Sequence, residues 1–360
     1  MDMSDHDFWR GKRVFITGHT GFKGSWLSQW LLALGAEIRG YSLEPPTEPN
    51  LFAALNLASD LDHNIGDIRD AATLARTMQE FNPEIVFHLA AQPLVRLSYK
   101  EPRMTYETNV IGTLNLYEAI RGCQSVRVVV SITTDKCYEN QEWVWGYREN
   151  EPLGGYDPYS SSKACAEILS SAYRRSYFNP KQYGLSHEVS LATARAGNVI
   201  GGGDWAADRL VPDCIRALSN GEIIQIRSPR STRPWQHVLE PLSGYLLLAQ
   251  RMSDDGVAYS EGWNFGPSAD GVMDVESVVK RVVANWGSGD YKVASDADYH
   301  EAQLLKLDIS KARSKLRWNP RLSGVQAIER TVEWYQAFYA DANMRELTLE
   351  QIKKYEKTGE

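Results

Sequence analysis

Residues 13–24 read RVFITGHTGFKG, and this stretch decides the fold. Arg13–Thr17 is a short apolar strand, and Gly18, Gly21 and Gly24 follow it at a G-x-x-G-x-x-G spacing. Behind them, Ser25–Leu34 carries its apolar residues on one helical face and stops at Gly35. A strand, a glycine turn and a helix, in that order, form a cradle for a dinucleotide pyrophosphate. Small residues let the backbone turn tightly and approach the anion, and the helix then aims its free N–H groups and positive dipole end at it. Glycine triplets also serve purely steric turns. The position between a first strand and an amphipathic helix favours the cofactor.

Outward from the loop, strands and helices alternate. Glu37–Ser42 is a second strand, and Pro45, Pro46 and Pro49 force a loop after it. Asp62–Gly66 is a weak third strand, and Ala71–Phe81 a helix that ends before Pro83. Ile85–Ala90, Arg127–Ile132 and Ser190–Ala196 are further strands, separated by long helices at Thr105–Arg121 and Ser160–Tyr177. Unalternated apolar strands belong to a parallel sheet covered on both faces. The expected fold is therefore α/β, a Rossmann-type doubly wound parallel sheet. After Gly203 the texture changes to loops rich in Arg, Pro and Trp with short helices such as Val238–Gln250. This divides the chain into a dinucleotide-binding domain over residues 1–200 and a smaller C-terminal substrate-binding lobe over 201–360, possibly returning elements to the first. The tail after Asp341 is charged and reads as a solvated helix face.

The 360 residues carry a net charge of −7, which argues against a nucleic-acid partner. No stretch approaches the ~20 apolar residues of a membrane helix, and the polar N-terminus MDMSDHDFWRGKR has no apolar signal core. A cytoplasmic location is expected. The four cysteines, Cys123, Cys137, Cys165 and Cys214, lack C-x-x-C or zinc-ligand spacing, so reduced thiols and no metal are expected. Cys137 has no His near it in sequence to activate it as a nucleophile.

YDPYSSSKACAE sets Tyr159 and Lys163 one helical turn apart. A free phenol titrates near ~10, and a neighbouring ammonium is expected to lower that value. Such a pair removes a hydroxyl proton while hydride leaves for a nicotinamide. Alone, Y-x-x-x-K is usually a solvated helix face. Behind a glycine-rich cofactor turn it reads as catalytic. An acid about 20 residues beyond the glycine loop would hold the ribose of NAD. None stands there, and Glu44 comes one step late. Choice between NAD and NADP stays open at this segment. Asp67 is either an adenine contact or a turn residue.

The segments TGHTGFKG, HLAAQP (88–93) and YSSSK together resemble the extended short-chain dehydrogenase/reductase family, over roughly Gly11 to Pro320. Its members act on nucleotide sugars as epimerases, dehydratases or reductases. The resemblance implies a tightly held, recycled NAD at Gly18, Thr20, Gly21, Phe22, Lys23, Gly24, Asp67, Ile68, Leu89, Ala90 and Ala91, as well as Tyr159 and Lys163. It implies a nucleotide-sugar substrate at Gln92, Asn198, Arg209 and Arg233, with Arg209 the weaker assignment. Trp235 and His237 read as packing. The family's nucleotide-sugar 4,6-dehydratases carry Thr-Asp-Glu at the end of the fifth strand, where this chain has Thr134-Asp135-Lys136. That departure, with GYSLEPPTEPNLF and RPWQHVLEPLSGYL, is similar to the branch whose substrates carry cytidine diphosphate.

In that chemistry Asp135 is the acid at the C6 hydroxyl, which needs a raised pKa. Lys136 is the C5 base if neutral, with Lys163 as the second cation that would make it so, or else an electrostatic stabiliser of the enolate. A 4-epimerase, a 4,6-dehydratase of GDP-mannose or dTDP-glucose, and a catalytically dead NAD-binding sensor remain as alternatives. The epimerase has no need of Asp135 and Lys136, and the sensor has no need of Tyr159, Lys163, Thr134 and Asp135. The family also implies a homodimer or homotetramer, built through a four-helix bundle of Thr105–Arg121 and Ser160–Tyr177, and a place in deoxysugar biosynthesis such as that of lipopolysaccharide O-antigen.

Overall fold

A computed structural model describes residues 6–268, 271–293 and 304–358. Seven strands form the central sheet: β1 Arg13–Thr17, β2 Glu37–Ser42, β3 Asp62–Ile65, β4 Ile85–His88, β5 Val128–Ile132, β6 Ser190–Arg195 and β7 Gly262–Asn264. They lie in the order β7-β6-β5-β4-β1-β2-β3, and every pairing is parallel. The chain winds outward from β1 in one direction through β2 and β3, and in the other from β4 to β7. The crevice for a ligand therefore opens at the carboxyl ends of β1 and β4. The glycine loop leaves one of these ends and Leu89–Ala91 the other.

Successive strand residues point to opposite faces, and each face has its own core. Val14, Ile16, Phe87 and Val130 join Trp26, Trp30, Leu242 and Trp334 on one side. Phe15, Val86 and Val129 join Leu74, Leu116 and Tyr117 on the other. The first of these cores runs without a break into the C-terminal half, where Trp205 packs on Trp334, Tyr335 and Phe338 at centroid distances of 5.7, 5.7 and 4.8 Å. β7, from that half, completes the sheet beside β6.

Three differences from the sequence expectation have local causes. The helix behind the glycine loop starts at Phe22 rather than Ser25, because Gly21 is its extended N-cap. The helix expected over Thr105–Arg121 is broken: Pro102–Tyr106 passes into a wide π-turn at Glu107–Ile111 before Gly112–Arg121 resumes. The turn brings the Asn109 amide to the segment after β4. The tail is not a solvated face. Helix Met344–Lys357 buries Met344, Ile352 and Tyr355, and the Tyr355 hydroxyl donates to buried Glu240 at 2.8 Å.

Candidate active site

The glycine loop shows which of its glycines the backbone itself demands. Gly18 has φ +77°, and a Cβ there would meet Ala90 N at 2.6 Å. A Cβ on Gly24 would lie 2.1 Å from the Gly18 carbonyl oxygen. Gly21 is different, since a Cβ on it would only touch that same oxygen at 3.4 Å. Its bareness leaves space above the helix N-terminus, where no side chain caps the free N–H groups. That is the donor set a pyrophosphate needs, and the residues present fit a dinucleotide.

The loop forms one end of a cavity of about 1790 Å³. Gly18, Thr20, Gly21, Phe22, Lys23, Gly24, Asp67, Ile68, Leu89, Ala90 and Ala91 all line it. So do Thr134, Asp135, Lys136, Tyr159 and Lys163, and, from the second half, Asn198, Arg209 and Arg233. Asp67 serves as a turn residue while lining the wall: its carboxylate accepts from Arg69 N at 2.9 Å and from the Arg69 guanidinium, which hold its pKa below the usual range. Gln92 is the exception. Its Oε1 accepts from Leu94 N at 2.5 Å, and its Nε2 donates to Leu94 O and to Thr105 Oγ1 at 3.1 and 2.9 Å. The side chain is hydrogen-bonded within the turn after β4 and stands behind the cavity wall. Trp235 and His237 are buried, and the His237 ring packs edge-on against Trp26.

At the end of β5, Thr134 caps a single turn at Asp135–Cys137. Its hydroxyl donates to Asp135 Oδ1 at 3.0 Å and accepts from Lys136 N at 3.3 Å. The other Asp135 oxygen, Oδ2, is buried with no partner. A buried carboxylate oxygen left unbonded is costly, and a proton or a substrate hydroxyl would satisfy it. Helix Pro158–Arg175 brings Tyr159 to this turn and Lys163 beneath it, where Nζ donates to Ile132 O at 3.3 Å.

The electrostatics correct one expectation. Burial raises the Tyr159 pKa to about 12; the hydrogen bond with Thr134 and the charge of Arg209 work against the rise, and Asp135 adds to it. The Lys163 pKa itself falls to about 8, chiefly through burial. Desolvation thus outweighs the expected help from the ammonium. The charges that act on Lys163 are those of Glu167 and Cys137. Cys137 is fully buried, and burial raises its thiol pKa, so it is inert as a nucleophile.

Sequence reasoning missed the support beneath the turn. Glu167, one helical turn past Lys163, takes both Arg195 Nε and Nη2 at 2.9 Å, Thr193 Oγ1 at 2.8 Å and Thr133 Oγ1 at 2.5 Å. Burial pushes this carboxyl up, but the charge and hydrogen bonds of Arg195, with Thr133, bring it down to about 2. Arg195 also donates to the Tyr138 hydroxyl at 2.6 Å. Asn109 ties the segment after β4 to the same helix through Ser162 Oγ at 2.9 Å. The signals were present in the sequence: a Glu in phase with Tyr159 and Lys163, and a lone Arg ending an apolar strand.

The profile of the GDP-mannose 4,6 dehydratase family matches residues 15–331. A CDP-glucose 4,6-dehydratase of Salmonella typhimurium is 53% identical over 354 residues, covering 98% of each chain. A dTDP-glucose 4,6-dehydratase of Xanthomonas campestris is 26% identical, covering 89% of this chain and 92% of its own. Among solved structures, the dTDP-glucose 4,6-dehydratase DesIV of Streptomyces venezuelae, with NAD bound, superposes at a TM-score of 0.76 and 25% identity, over 92% of this chain and 98% of its own.

Proposed function

Since this chain belongs to the GDP-mannose 4,6 dehydratase family, we propose that it is an NAD-dependent hydro-lyase converting CDP-D-glucose to CDP-4-dehydro-6-deoxy-D-glucose and water. The observation that carries the reading is the Thr134–Asp135–Lys136 turn set against Tyr159 in one cavity. Simple oxidation and reduction at C4 would need Tyr159 and Lys163 alone. Elimination across C5 and C6 needs an acid and a base as well, and the turn supplies both.

Each side chain has a task at a stated atom. Tyr159 accepts the proton of the C4 hydroxyl. NAD, held by the glycine loop and Lys163, would supply the hydride acceptor and donor that oxidation at C4 and reduction at C6 require, and its oxidised form would add positive charge to the site. The C4 ketone makes the C5 proton acidic, and Lys136 removes it. Asp135 protonates the C6 hydroxyl as it leaves as water; its unpartnered Oδ2 suits a residue that must carry and give up a proton. Lys163 holds the cofactor end of the site, and Arg209, Arg233 and Asn198 receive the diphosphate. A tightly held cofactor follows from the return of the hydride to the same sugar.

NAD rather than NADP is supported by the acids at the adenosine end of the cavity. Glu44, Glu48 and Asp67 line it there, and a 2′-phosphate would be repelled. Residues 1–200 hold the cofactor and 201–360 mainly the sugar nucleotide. Exposed Tyr106 and Ile111 at the two ends of the π-turn segment, Ile168 on helix Pro158–Arg175 and Tyr177 just beyond it support a bundle with a second copy, as a dimer or a tetramer. A cytoplasmic place in deoxysugar biosynthesis, such as that of O-antigen, follows from the substrate. The assay is incubation with CDP-, dTDP-, GDP- and UDP-sugars and NAD+. A 4-keto sugar, detected by its alkali-induced absorbance, is expected from CDP-glucose. Its absence from every incubation would refute the dehydratase.

A further inference from the structure

Three charged side chains of the cavity wall have no part in the chemistry above. Arg96 comes from helix Val95–Lys100, in the segment that follows β4. Asp208 lies in the loop before helix Leu210–Ser219, and Arg227 directly follows strand Ile224–Ile226. Arg96 Nη1 stands 3.1 Å from Asp208 Oδ1, and Arg227 Nη1 stands 3.9 Å from that same oxygen. All three residues line the cavity. Two guanidiniums from elements far apart in the chain thus converge on one carboxylate oxygen, across the join between the two halves.

The hold of that carboxylate is weak. The three side chains keep 35%, 40% and 45% of their surface exposed, and ion pairs so exposed are worth about 0–1 kcal/mol. Asp208 also sits at φ +61°, in the left-handed region that residues with a side chain adopt at a cost. The other cavity arginines differ. Arg209 is locked to buried Asp204 at 2.7 Å, and buried Arg233 donates to Thr232 O at 3.0 Å.

We propose that Arg96 and Arg227 are a second grip on the substrate diphosphate, and that Asp208 occupies their place as an internal anion until it arrives. The inference rests on the nucleotide-sugar reading. A diphosphate brings more charge than one carboxylate and enough oxygens for each guanidinium to bind with two N–H groups. It displaces Asp208, and the loop before Leu210 is released from its tie to Arg96.

The test is calorimetric binding of CDP and CMP to NAD-loaded wild type, D208N, R96Q and R227Q, with melting curves to confirm folding. D208N is expected to tighten CDP about three- to tenfold, and R96Q and R227Q to weaken it about tenfold each, with smaller changes for CMP. D208N added to R96Q should recover less than D208N gains alone. A D208N protein that binds CDP no more tightly than wild type overturns the inference, as do arginine variants with unchanged affinity. Wild type that binds no CDP would instead remove the nucleotide-sugar reading, and this inference with it.

Discussion

Single residues divide into those the backbone requires and those the chemistry requires. Gly24 and Gly21 look alike in the sequence, yet only on Gly24 would a Cβ fall 2.1 Å from a carbonyl oxygen. Gly24→Ala should therefore cost about 1–3 kcal/mol of stability in denaturant unfolding. Gly21→Ala should keep the fold and weaken NAD in a binding titration, because its methyl enters the cofactor's space. Lys136→Ala should lower turnover by about 10²–10⁴-fold. It should also abolish solvent exchange of the C5 hydrogen, measured in deuterated water; normal exchange would return Lys136 to the electrostatic role. Arg195→Met leaves the Glu167 carboxylate buried without its cation, and a loss of about 3–5 kcal/mol is expected in the unfolding free energy. The double variant Arg195→Met/Glu167→Leu should regain part of that loss. That Thr134, Asp135, Lys136, Tyr159 and Lys163 share one cavity wall was legible in the sequence, because their spacing follows helix and strand geometry. Glu167 and Arg195 each leave a trace in the sequence, but their pairing does not, since it joins two elements that only the folded sheet brings together. Gln92 shows the opposite case: its segment resembles a ligand loop, while its amide bonds within the turn.

Among the elements, the regular ones were legible. Ala71–Phe81 has the bounds its spacing predicts, with Asp70 accepting from Thr73 N as its N-cap. The π-turn within the helix expected at Thr105–Arg121 carries no periodic signal, because it shifts the register without changing residue type. The C-terminal helix was misjudged on composition, since charge on one face hid the contacts of the other. Its docking makes a pH prediction. Glu240 accepts from Arg321 N, Leu322 N and the Tyr355 hydroxyl, yet burial raises its pKa from 4.5 to about 7. The folded state then binds the proton more tightly than the unfolded state does. The stabilisation is complete below the unfolded value and is lost as pH rises through about 7. Between about pH 5 and pH 8, wild type should lose several degrees of melting temperature relative to Glu240→Gln, which keeps an uncharged polar group there. Equal pH dependence in the two proteins would show that Glu240 does not titrate in this range.

For the whole molecule, the division at about residue 200 that the sequence texture invites is not a division of the core. The cluster around Trp26 and Trp30 continues through Leu242 to Trp334, and β7 closes the sheet from the far half. Differential scanning calorimetry should give one cooperative transition rather than two, and residues 1–200 expressed alone should aggregate. The composition of the second half hid this, because its strands are two or three residues long and leave no period to read. The continuous core has an optical consequence. Trp205 and Trp235 line the cavity while packed into that core. Their indoles are rigid emitters at the wall of the ligand chamber. Reduced nicotinamide absorbs where indole emits, so the redox state of a bound cofactor would be written into the quenching of the protein's own fluorescence. Hydride removal and return could then be followed in real time without an added dye.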